Sequence, residues 1–388
     1  MDESLPPSSP PGYTPPPPSL PPPIIAAPPP PPRGVNVWKI VALVSLALLV
    51  VGAGLSIVGV SMRNMAAGTP RVAQEHARFL EESVVEHTNS DNKIAIIELQ
   101  GVITGEIERE GMSMPTYIAE QFKAAAKDSD VKAVILKVDS PGGEVLAADE
   151  INKTITKFET DSGKPVIVSM GSLAASGGYY VSAPCRWIVA NELTITGSIG
   201  VIMHGYNYRG LMDKVGVQPH VFKSGRFKDM LSGEREPENK LTPDERRTRA
   251  EEDAMVQAMI DETFGKFKDI VKTGRDDAAK KNSGKGKTLV DDWQDYADGR
   301  VFSGKKALSL GFVDEVGDFR TAVQRAQNIA GISKANLVEY RVPFDLGSVL
   351  FHLFGKTETP ALRVDIGFDL PKIQAGRMYF MSLTEIAH

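Results

Sequence analysis

Cysteine is nearly absent. The 388-residue chain has one, Cys185, so no intrachain disulfide can form. Its six histidines are scattered and show no zinc-type spacing, and no metal site is expected. Basic excess is missing too. Lys and Arg number 44 against 49 Asp and Glu, a net charge of −5, and nucleic acid is not expected as a partner. A nucleotide loop is also lacking. Gly286-Lys287-Thr288 would need a glycine at 281, where Lys281 stands. No internal repeat is visible, and no cofactor is called for.

What the chain does have is unevenly distributed. Residues 1–33 hold 16 of its 27 prolines. Such a run lacks backbone donors and groups to bury, so residues 1–37 read as an extended, solvated arm. A docking arm for a proline-binding module and a plain disordered tail both fit, the tail being the simpler. From Ile40 to Val60 follow 21 residues without a charge, flanked by Trp38, Lys39 and Arg63. At about 1.5 Å per residue this spans a bilayer core of roughly 30 Å, so 38–61 reads as a transmembrane helix. A cleaved leader is the rival, although its apolar stretch is usually only about 7–15 residues. Arg33 and Lys39 are balanced by Arg63 and Arg71, so charge does not orient the anchor.

Residues 62–91 are expected to be a linker, with a charged helix over 71–86. A globular domain is expected over 92–335 and a less regular tail over 336–388. The tail's apolar stretch 344–354 is too short to span a membrane and fits packing on the domain or a neighbour. The whole-chain hydrophobic fraction of 42% allows a real core. Within the domain, KIAIIELQGVI, VKAVILKVDS, KPVIVSM, RWIVA and SIGVIMH read as strands. PTYIAEQFKAAAKD reads as a helix with Ile118, Phe122 and Ala125 on one face, and VLAADEINKTITKF as a second. A short helix is expected from Ala175. A long helix opens at Thr242 as cap with Pro243 in its first turn. Alternating helices and strongly apolar strands predict an α/β fold with the sheet covered on both faces.

The candidate chemistry lies in MGSLAASGGYYVSA, residues 170–183, between a strand and a helix. Ser176 sits on the expected sharp turn. The glycines after it permit close approach of a carbonyl, and a helix start offers unpaired N–H groups. Ala174 stands where the nucleophile elbow has its first glycine. By pattern alone, close packing explains such a run equally well. Upstream, Asp139-Ser140-Pro141-Gly142-Gly143 is either an ordinary turn or a donor loop. In the second case the N–H groups of Gly143 and Gly177 form an oxyanion hole, one donor typically contributing about 3–4 kcal/mol. A serine needs a base. His204 and Lys228 are both candidates, and composition does not choose between them. Lysine titrates near 10.4 and must be desolvated or set near positive charge to serve.

GSLAASGGYYVSAP, with TGSIGVI (196–202), KSGRFKDM (223–230) and GRVFSGKKALSLGFVDEVG (299–317), resembles the signal peptide peptidase family. These are Ser-Lys proteases of the protease IV type with a ClpP/crotonase-like fold. The resemblance covers roughly residues 90–335. It implies Ser176 as nucleophile, Lys228 as base and Gly143 as an oxyanion donor. Ser198 is either structural or orients the lysine. The separation of Ser176 and Lys228 suits the short, single-repeat members. The resemblance further implies a homo-oligomer, an octameric ring with the dyad shared between subunits. It implies an extracytoplasmic catalytic domain on the cell membrane, and unfolded, membrane-proximal peptides such as released signal peptides as substrates. Two alternatives carry different tests. A crotonase-like acyl-CoA enzyme would keep activity after Ser176→Ala, and a non-catalytic membrane scaffold would assemble but never hydrolyse peptide esters.

Overall fold

The computed structural model describes residues 80–109, 111–342 and 378–381. The proline arm, the apolar segment 40–60 and the stretch 344–354 lie outside the described residues. No helix among the described residues is long and apolar enough to cross a membrane.

The chain enters through β1 (Glu81–Glu86), β2 (Lys93–Gln100) and a small hairpin of β3 (Ile107–Arg109) and β4 (Met112–Ser113). Helix α1 (Met114–Lys127) leads to β5 (Val131–Ser140), the short β6 (Gly142–Glu144) and α2 (Val145–Ser162). Then come β7 (Val166–Ala175), α3 (Gly177–Ser182), β8 (Trp187–Ala190), β9 (Ile195–Gly197) and β10 (Ile202–Met203). Helices α4 (Arg209–Val215) and α5 (Pro243–Lys281) follow. The chain closes with β11 (Val301–Ser303), α6 (Gly304–Leu310), β12 (Glu315–Val316), α7 (Phe319–Ala330), β13 (Asn336–Arg341) and β14 (Met378–Met381).

A nine-stranded sheet runs β1-β13-β2-β5-β7-β8-β12, with β9 beside β7 and β11 beside β9. Neighbours from β13 to β12 are parallel, while β1 and β11 join antiparallel. Successive strand residues face opposite sides, so continuous apolar strands need cover on both. Ala95, Ile97 and Leu99 pack into one layer with Ile118, Phe122 and Ile155 of α1 and α2. Ile94 and Ile96 pack into the other against Ala322, Val323 and Ala326 of α7. The expected two-sided α/β sheet is therefore present.

Local signals set the helix ends. Ser113 caps α1, accepting from the Thr116 N–H. Thr242 and Glu245 form a capping box at the start of the 39-residue α5. Only part of α5 is buried, at Glu252 and through Phe267, Val271, Gly274, Arg275 and Ala278 on one helical stripe. A methyl group added at Gly274 would stand 2.6 Å from the Ala183 carbonyl oxygen, so glycine is what lets α5 approach α3. Beside it Arg275 forms a fully buried ion pair with Asp314. Asp314 also accepts from the Ile188 N–H of β8 at 2.9 Å.

Three sequence expectations change. The helix expected over 71–86 is a strand over Glu81–Glu86, antiparallel to β13, and residues 71–79 lie outside the described residues. Adjacent Val84 and Val85 favour extended backbone, and a charged strand suits a sheet edge. The domain does not stop at 335. Asn336–Arg341 lies inside the sheet between β1 and β2, and Met378–Met381 also packs on the domain. The strand expected over SIGVIMH reduces to Ile202–Met203, because Ser198 adopts φ 51° and ends the extended run after Gly197.

Candidate active site

Strands β5 and β7 are parallel neighbours, with Ser140 in register with Ala174. Their outgoing turns therefore leave the same sheet edge, where parallel sheets collect their sites. One turn carries Gly142 and Gly143, and the other Ser176 and Gly177. A methyl group added at Gly177 would stand 3.1 Å from the Gly142 Cα and 3.2 Å from the Gly143 nitrogen. Side chains would hold the turns apart. At Gly143 itself, a methyl would fall 2.0 Å from the Ile103 carbonyl oxygen. That close approach is used: Ile103 donates to the Gly142 oxygen, and Glu144 donates back to the Ile103 oxygen, both at 2.8 Å.

Ser176 stands at φ 53°, ψ −115°, between the end of β7 and the start of α3. Such a conformation costs a non-glycine residue on the order of 1–3 kcal/mol and persists only where its surroundings impose it. Here β9 imposes it. The Ser176 N–H donates to the Gly197 oxygen at 2.8 Å. The Ser176 oxygen accepts from the Tyr180 N–H, also at 2.8 Å. Thr196 Oγ1 donates to the Ala174 oxygen at 2.7 Å, locking β9 to β7. Ser176 is 1% exposed, and its hydroxyl makes no hydrogen bond among the described residues. Since its N–H is engaged by Gly197, Gly177 is the next amide in line, at a first helical position where no intrahelical acceptor exists.

Ser198 follows Gly197 directly, is buried, and donates its N–H to the Arg300 oxygen at 2.8 Å. Lys228 lies elsewhere, on the segment between α4 and α5. It is exposed, and no hydrogen bond or ion pair engages its ammonium among the described residues. The neighbouring Lys223 pairs with Asp229 at 2.8 Å instead. His204 is half-buried with its Nε2 sealed from solvent and unpartnered, and no hydrogen bond joins it to Ser176. Within one chain, then, Ser176, Gly177, Gly143 and Ser198 come together, while Lys228 and His204 make no bond to the serine.

Several residues of the site carry no sequence signal of their own. The Ser140 hydroxyl accepts from the Gly142 N–H at 3.1 Å. Tyr180, from the helix behind Ser176, donates its hydroxyl to Asp149 at 2.8 Å. Burial, reinforced by that carboxylate, pushes the Tyr180 phenol well above its ordinary range. Asp149 also pairs with Lys153 and Lys266, each at 2.7 Å. Burial raises the Asp149 pKa, but the hydrogen bonds from Lys153, Lys266 and Tyr180 outweigh it and hold the carboxyl below its usual value.

Residues 159–333 match the profile of peptidase family S49. A protein of Synechocystis, provisionally named a protease, is 38% identical over 246 residues, which are 63% of this chain and 77% of that one. A protein of Enterococcus faecium, provisionally named a signal peptide peptidase, is 33% identical over 265 residues, 67% of this chain and 70% of its own. A solved variant of a membrane-bound stomatin-specific protease overlaps 64% of this chain and 98% of its own, at 15% identity and a TM-score of 0.36.

Proposed function

The chain belongs to peptidase family S49, and from that premise we propose that it is a membrane-anchored serine endopeptidase with Ser176 as nucleophile and Lys228 as base. The observation that carries this reading is the strained, buried Ser176 beside the paired glycine turns. Neutral Lys228 accepts the hydroxyl proton as Ser176 Oγ attacks a peptide carbonyl. The oxyanion rests on the N–H groups of Gly143 and Gly177. The lysine returns the proton to the leaving amine, and water hydrolyses the ester.

In this reading the dyad forms between subunits of a homo-oligomeric ring, an octamer by resemblance. The exposed lysine of a single chain is consistent with that arrangement, since a neighbouring subunit would take it out of solvent. Val217, Val221 and Phe222 on the same segment, with Leu211 of α4 and Tyr206 just before that helix, are exposed, Phe222 by 96%, and offer apolar surface for such contact. Residues 38–61 form the anchor, the catalytic domain lies outside the cytoplasm on a ClpP/crotonase-like fold, and the substrates are cleaved signal peptides and other unfolded peptides near the membrane. Ser198 orients the lysine.

The test is hydrolysis of peptide esters and casein by the full chain and two variants. Ser176→Ala and Lys228→Ala should each abolish turnover while assembly, read by light scattering, is unchanged. Activity retained in Lys228→Ala and lost in His204→Ala would replace the lysine by the histidine.

A further inference from the structure

Lys228 stands on a segment with little apolar packing to place it. Of the hydrophobic residues between α4 and α5, Leu241 alone is buried. The backbone around the lysine is a run of turns. The Lys228 N–H donates to the Gly225 oxygen at 3.2 Å, Met230 to Phe227 at 3.0 Å and Ser232 to Asp229 at 3.1 Å. Turns of this kind shape a loop locally but do not fix it to the domain.

Ion pairs supply that attachment. Asp229, the residue after the lysine, gives one carboxylate oxygen to Lys223 at 2.8 Å and the other to Arg235 at 3.6 Å. The Arg235 guanidinium pairs in turn with Glu252 of α5. On the other side of Lys228, Arg226 pairs with Glu251 at 2.5 Å. Glu252 is 1% exposed, and no other residue of α5 before Phe267 is buried. A buried carboxylate is costly even when paired, and an apolar side chain at such a place is often no less stable. What a buried carboxylate and a planar guanidinium add is a fixed direction. Both oxygens of Asp229 are also engaged, so the nearest carboxylate in sequence does not capture the Lys228 ammonium.

We propose that Glu252, Arg235 and Asp229 form an ion-pair chain that positions Lys228 toward a neighbouring subunit's serine. Glu252 fixes Arg235 to the long helix, Arg235 fixes Asp229, and Asp229 fixes the backbone from which the lysine extends. All three are positioning residues, and their role rests on the protease reading above.

The test uses full chains and a peptide ester, with working sites counted by a peptide boronate. Arg235→Met combined with Glu252→Gln removes the inner pair without stranding a buried charge, so assembly and thermal unfolding should stay close to those of the unaltered chain. Its kcat per working site should fall about 10²-fold with KM little changed, the effect of a small misplacement of reacting atoms. Arg235→Lys, which keeps the charge, should recover part of that loss. Mixed oligomers then separate positioning from a general structural effect. A Ser176→Ala chain mixed with a Lys228→Ala chain is the reference. The double substitution carried by the Ser176→Ala chain, which supplies the lysine, should cut the reference activity about 10²-fold. Carried by the Lys228→Ala chain, whose own lysine is already gone, it should add no further loss. Equal loss from either chain, or loss from neither, overturns the proposal, as does an unchanged kcat in the double variant alone. A reference mixture without activity sinks the shared dyad instead, and the kcat of the double variant then decides the ion-pair chain. An unaltered chain that hydrolyses no ester sinks the protease reading and the positioning role with it.

Discussion

The Ser176 amide donates to the Gly197 carbonyl at 2.8 Å, and by this bond a three-residue strand holds Ser176 at φ 53°. Gly197 can do so only without a side chain. Its own φ is +83°, and a methyl there would meet the Phe302 ring at 2.5 Å. Gly197→Ala should displace β9 and let Ser176 relax. The expected result is a kcat roughly 10²-fold lower with KM less affected, the pattern of a small misplacement of reacting atoms. Steady-state kinetics on a peptide ester, with circular dichroism to confirm the fold, checks this.

Gly143→Ala should be more damaging to turnover than its size suggests. The added carbon would fall 2.0 Å from the Ile103 oxygen, so β6 must move and carry its N–H with it. Loss of one oxyanion donor predicts a kcat about 10²–10³-fold lower. Binding of a transition-state-like peptide boronate should weaken in parallel, whereas a mere folding defect would lower active-site titre at unchanged kcat per site.

Mixing tests whether the dyad is shared. Ser176→Ala and Lys228→Ala are each expected to be inactive. Co-assembled from denaturant in equal amounts, they should regain activity at roughly a quarter of the sites, those pairing an intact serine with a neighbour's intact lysine. A mixture that stays inactive while forming mixed oligomers would place both residues in one chain.

The buried Arg275–Asp314 pair ties α5 to the end of β8, with both side chains essentially inaccessible. Removing one partner strands the other. Arg275→Ala should destabilise the domain by about 3–5 kcal/mol in urea unfolding. The double variant Arg275→Met with Asp314→Asn should recover part of that loss.

Acid should loosen the Tyr180–Asp149 contact before it unfolds the sheet. Burial raises the Asp149 pKa, yet Lys153, Lys266 and Tyr180 bring it below the usual value overall. A carboxyl depressed in the folded state contributes stability that is complete above its unfolded pKa, near about 3.9, and disappears as pH falls through the lower folded value. Thermal melts from about pH 6 downward should therefore drop below about pH 4, and Asp149→Asn should drop less steeply over the same interval.

Much of the site was readable because the signals are local. The Thr242 cap, the apolar strands and the small-residue turn at Ser176 depend on residues close together in the chain. Glycines 142, 143 and 177 were visible as turn residues, and the structure adds that the two turns touch. Edge strand β1 was misread because EESVVE is also compatible with a charged helix, and only its partner β13, some 250 residues away, decides it. Tyr180, Phe267 and Phe380 read as unremarkable aromatics. Their meeting is a long-range event with no local pattern.

Pattern and motif within the chain were thus sufficient for the layered α/β architecture and for naming Ser176, Gly143 and Gly177 as candidates, since each rests on backbone needs that a few adjacent residues express. Tertiary structure alone brought β9 to Ser176, set Gly143 against Gly177 and laid Phe380 on Tyr180. Those relations depend on which strands pair, and pairing is chosen by the burial of whole faces rather than by any short segment. Lys228 marks the limit of both: its motif implies a role by resemblance, and the single fold leaves it exposed with no side-chain partner among the described residues.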